Sequence, residues 1–137
     1  MTTRYATRES GSMPYAVHAL QKVVTFATAG ISSGVPFQNY LPQDAQVLCT
    51  IVRVTAAFDA TSTNVLTVGC NSTSFNDLAA AGDVDEATTG ADVVFTGAEL
   101  DTSSAPLLPY VKYTQSGTAA TAGRAIITIL YIPPVDR

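Results

Sequence analysis

Charge is what this sequence has least of. Asp, Glu, Lys and Arg make up 13% of its 137 residues, about half the quarter usual in soluble domains. The scarcity is greatest for lysine, with Lys22 and Lys112 alone, so the means by which β-proteins usually protect open strand edges is nearly missing. The balance is acidic, at net −4, which argues against a domain that tracks phosphate backbones with a basic stripe. Tryptophan is absent and His18 is the only histidine. The first absence weakens any reading as a sugar-binding platform of aromatic faces. The second means that a triad or proton relay would have to pass through His18. GxSxG, HExxH and GxxxxGK[ST] patterns are also absent, which removes the common signatures of serine hydrolases, zincins and P-loop proteins.

Long apolar runs are missing too. The longest, Ala125 to Ile132 interrupted by Thr128, is far below the roughly 20 residues of a membrane helix. No apolar stretch follows the positive charges of Met1 to Ser10, so the expectation is a chain without a secretory signal, made in the cytoplasm. Hydrophobic residues nevertheless reach 47%, which excludes a disordered chain. A length of 137 residues corresponds to one domain rather than two.

The residues present read as strands. Met1 to Pro14 is polar and without period, an arm carrying Arg4, Tyr5 and Arg8, and residues 15–137 are expected to form one domain. Tyr15 to Ala29 is one long strand or two short ones. Val35 to Leu41 is an edge piece, since Pro36 and Pro42 cannot donate to a ladder. Val47 to Phe58 alternates most clearly, with Leu48, Val52, Val54 and Phe58 on one side. The turn residues Asp59 to Thr63 then suggest a hairpin into Asn64 to Cys70. In that register Cys49 and Cys70 fall on opposite faces, so both are expected as free thiols.

Ser74 to Gly82 changes character. A serine in N-cap position, Asp77 three residues on, an alanine run and a glycine predict a short helix. Strands resume at Asp92 to Ala98, Leu107 to Gln115 and Arg124 to Ile132. The last is apolar on both faces, and is either a buried central strand or an oligomer contact. Seven or eight short strands with frequent turn signals predict an all-β fold, an antiparallel β-sandwich of which the jelly roll is one form, with one short helix inserted.

Little in this inventory can do chemistry. His18 reads as a structural or interface histidine. Asp83, Asp85, Glu86 and Asp92, with Asp77 upstream, are the most metal-like group, yet they lack EF-hand order and read better as a solvated acidic loop. No catalytic residue, cofactor or metal is expected. A surface so poor in charge is easier to explain if copies of the chain or a larger assembly cover it, and a homo-oligomer, a trimer above other states, is expected.

The segments Phe58 to Gly69 and Ala80 to Glu86, and in the C-terminal part Pro109 to Tyr113, Gly117-Thr118, Thr121 to Ala125 and Tyr131 to Pro133, resemble small virion proteins of tailed bacteriophages. The resemblance implies a non-enzymatic β-sandwich or jelly-roll protein present in many copies, located in the virion and assembled in the host cytoplasm. Its partner would be the major capsid protein or another virion protein, with no direct contact to nucleic acid or membrane. Capsid decoration is the leading expectation. A tail, neck or receptor-binding component is the second, and a carbohydrate-binding module the third. Assembly contacts are expected at Arg4, Tyr5 and Arg8 of the arm, whose other reading is a frayed terminus, and at Ile127, Ile129 and Tyr131 of the last strand.

Overall fold

A computed structural model describes residues 16–95 and 100–134. The expected arm, with Arg4, Tyr5 and Arg8, lies outside the described residues. Among the described residues there are seven strands: β1 (His18–Thr25), β2 (Val35–Pro36), β3 (Gln46–Ala56), β4 (Thr63–Gly69), β5 (Gly90–Phe95), β6 (Tyr110–Ser116) and β7 (Arg124–Ile132). They form two antiparallel sheets, ordered β1-β7-β3-β5 and β2-β6-β4. Odd-numbered strands build one sheet and even-numbered strands the other, so every connection crosses the core. That wrapping is the jelly-roll form of the expected all-β sandwich. Its usual eighth strand is reduced to one bridge, Val68 to Ala79, on the free edge of β4.

Alternation explains which residues meet inside. In β7, Ala125, Ile127, Ile129 and Tyr131 point inward while Ile126, Thr128, Leu130 and Ile132 point outward and stay half-buried. Facing them from the other sheet are Leu66, Val68, Val111 and Tyr113, all at 1% exposure or less. Phe58, beyond the end of β3, closes the core and packs on Tyr113 with ring centroids 4.8 Å apart. Tyr113 keeps its hydroxyl satisfied by donating to Asn64 Oδ1, as a buried phenol requires.

Two local expectations fail. Asp59 to Thr63 is not a hairpin loop, because β3 and β4 belong to different sheets. It is a crossover, clamped by Asn64, whose side chain bonds both the N–H and the C=O of Ala60. Turn chemistry marks a reversal of direction but does not say whether the chain returns beside the strand it left or across the core from it. Cys49 and Cys70 are indeed free, but because Cys49 lies in β3 while Cys70 follows the end of β4 on the other sheet, not for the predicted register.

Ser74 to Gly82 is not helical. Thr73 and Phe75 take positive φ values of 65° and 46°. The Asn71 side chain accepts from the backbone N–H of Asn76 and of Asp77, and Asp77 Oδ1 accepts from Cys70 N at 2.7 Å. These local bonds compete with helical ones. Leu78 and Ala79 instead donate to the Val68 carbonyl at 3.0 and 2.9 Å, and so cap an exposed edge.

Candidate functional site

The residues with chemistry do not converge. His18 is exposed on edge strand β1, its ring tilted against Tyr131 at 5.7 Å. Among the described residues, no three His, Cys, Asp or Glu side chains gather in a metal-binding arrangement. Burial pushes the Cys70 thiol up to about 12, and the Asp77 carboxylate beside it acts in the same direction, so little nucleophilic thiolate forms near neutral pH.

The acidic residues serve the backbone. Asp83 accepts from Ala80 N, Asp92 from Asp85 N, and Asp59 from the N–H groups of Thr121 and Ala122 and from the Thr121 hydroxyl. Glu86 goes further. It is 8% exposed, its Oε2 accepts from Leu66 N at 2.8 Å, and its carbonyl accepts from Phe58 N at 2.9 Å. It therefore fastens the loop to the free edge of β4 and to the chain leaving β3. Burial raises its pKa, the Leu66 N–H opposes the rise, and the charges of Asp85 and Asp92 add to it. The sequence marks Glu86 only as one acid among several. Its separate role depends on a sheet edge that sequence periodicity does not display.

The surfaces are more informative than the depressions. An open hollow of about 410 Å³ has Asn71, Asn76, Asp77 and Asp83 on its wall with Val94 and Phe95, but Asn71 and Asp77 are committed to the backbone bonds above. The outside of the β2-β6-β4 sheet is polar and dressed by the chain itself. Phe75 stacks on Tyr110 at 4.4 Å, and Lys112 Nζ donates to the Thr73 carbonyl.

The outside of the β1-β7-β3-β5 sheet is more apolar, with the hydrogen-bonded pair Gln21 and Thr128 as polar residues among its aliphatic ones. Register places Val23 beside Ile126, Ile126 beside Arg53, Ile51 beside Val93, and Cys49 between Leu130 and Phe95. Val23, Val93 and Phe95 are 44, 52 and 78% exposed. A solvated antiparallel sheet normally alternates apolar-in with polar-out, and here the outward side keeps Gln21, Thr128, Arg53 and Arg124 but is otherwise largely aliphatic or aromatic.

Three of the residues expected at assembly contacts lie on the inner side of this same sheet. Ile127 and Ile129 are fully buried and Tyr131 is 8% exposed, so within the folded chain they serve the core. Of the two readings of an all-apolar terminal strand, burial favours the central strand: β7 lies between β1 and β3. Its outward residues Ile126, Leu130 and Ile132 are half-buried and turn away from the core.

No family model and no curated protein matches this chain. Among solved structures, a chain of the cyanophage Pam1 capsid asymmetric unit is similar with a TM-score of 0.62 and 19% identity, over 97% of this chain and 98% of that one. At that identity the likeness is one of fold, and it extends over nearly the whole of both chains.

Proposed function

We propose that this chain is a non-enzymatic structural protein of a bacteriophage virion, and specifically a decoration protein that sits on the capsid and ties neighbouring shell subunits together. The observation that carries the reading is the end-to-end fold match with a chain of a phage capsid asymmetric unit. Because an asymmetric unit recurs over the whole shell, a chain within it is present in many copies. This favours decoration over a tail or receptor-binding role. The exposed Val23, Val93 and Phe95 on one sheet face and the scarcity of charge support a life in contact. Repeated weak contacts add through avidity, so a shell gains resistance to internal pressure without any single strong bond.

The test is binding of the purified chain to capsids that lack it, followed by cryo-electron microscopy. Density repeated over the shell is the expected result. Density confined to the tail vertex, or no binding, would overturn the decoration role.

A further inference from the structure

This outer sheet face has a composition unlike ordinary protein surface. Its outward strand residues include Val23, Ile51, Val93, Phe95, Ile126 and Leu130, and its only charges are Arg53 and Arg124. Gln21 and Thr128, bonded to each other, are its uncharged polar pair; aliphatic and aromatic residues with arginine, and no Lys, Asp or Glu, is otherwise the composition of an interface core. Arg124 is occupied, donating to Thr55 Oγ1 at 3.0 Å. Arg53 is exposed, stands in register between Ile126 and Ala91, and forms no ion pair among the described residues.

The chain also carries the complement. Beside the edge of β5 an open concavity of about 180 Å³ is walled by Asp85 and Asp92, with Thr88 and Thr89. Asp85 is exposed, and its carboxylate receives no hydrogen bond among the described residues.

We propose that the outer face of the β1-β7-β3-β5 sheet is the surface on which a second copy of this chain packs, with Arg53 of one copy seated in the Asp85–Asp92 concavity of the other. Charge selects this occupant. The chain's own first fifteen residues carry Arg4 and Arg8 against Glu9, the same sign as the face. A second copy brings carboxylates to an unpaired guanidinium, a geometry arginine fits in two-point fashion. Burying the aliphatic residues around it excludes water and strengthens the pair.

The contact rests on the many-copy reading above only in requiring that copies meet, and it is tested without a capsid. Sedimentation equilibrium of the full chain over a range of concentration is expected to show self-association that weakens with salt. Arg53→Glu and Val93→Lys, both at exposed sites with the fold checked by circular dichroism, are each expected to raise the dissociation constant roughly 10-fold or more. Asp85→Arg in the Arg53→Glu background is expected to restore association. A wild-type monomer at every concentration would overturn the contact, as would association indifferent to both single variants or a charge swap that restores nothing. Oligomers that fail to bind capsids would leave it standing while counting against decoration. A monomer that binds capsids through Val93 would do the reverse.

Discussion

Gly123 shows how one position can hold a core in place. Its φ is 145°, and a Cβ built there would lie 2.3 Å from the Phe58 ring, which is itself 2% exposed. Gly123→Ala must both strain the backbone and displace the ring that closes the sandwich. The expected cost is about 2–5 kcal/mol, read as a lower urea midpoint with unchanged slope. Thr50 is the opposite case. It is fully buried between Ile129 and Val94, and its hydroxyl has no hydrogen-bond partner. Thr50→Val, which keeps the branched shape and removes the orphan, is expected to stabilise by about 1–2 kcal/mol in the same assay.

Glu86 adds a pH dependence of defined sign. Its pKa is raised in the folded chain, mainly by burial, so near neutral pH its ionised form opposes folding. That penalty grows as pH rises from the ordinary carboxylate value through the folded one, and is absent below both. Glu86→Gln keeps an acceptor for Leu66 N–H without the charge. Its stability relative to the parent is expected to improve as pH rises above the ordinary carboxylate value and to level off once pH passes the raised one, read in urea titrations. Glu86→Ala leaves that N–H unsatisfied and is expected to lose about 1–3 kcal/mol.

At the scale of elements, strand existence was legible and strand partnership was not. β7 runs over Arg124–Ile132, as its continuous β-branched character predicts. The Val47 to Phe58 reading overlaps β3, with Val52 and Val54 buried as expected, but a register shift between Val47 and Cys49 leaves Leu48 38% exposed. Alternation is a property of a single strand and survives in the sequence. Pairing is a property of two strands brought together by the fold, which is why Asp59 to Thr63 reads as a hairpin and is a crossover.

That crossover carries its own prediction. The Asp59 carboxylate holds the 121–122 turn, and the Ala122 N–H first, then those of Thr121, keep its pKa below 3.8. The stability it adds is present above 3.8 and is lost as pH falls through the lowered value. Asp59→Ala is expected to melt at a lower temperature than the parent at pH 7. The difference should shrink in acid, measured by thermal scans from pH 7 down to pH 2.

At the scale of the whole molecule, the two sheets differ in what they turn outward. One covers itself with the 71–76 segment, while the other leaves Val93 and Phe95 in water. The arm is proposed as a second attachment. Removing residues 2–12 is expected to release the protein from capsids while its melting temperature stays the same, checked by co-sedimentation and calorimetry. A truncated chain that still co-sediments would remove the arm from the contact.

Sequence alone determined the class of this protein. Low charge, β-branched alternation and closely spaced turn residues admit an all-β sandwich and little else, because each is a local property that needs no partner to be read. Tertiary structure decided which side of each strand faces the core. Ile127 and Ile126 are chemically the same and adjacent in sequence, yet one lies in the core and the other on the outer face beside Arg53. That difference is set by which sheet packs against which, a long-range burial choice that no local pattern in an all-apolar strand records.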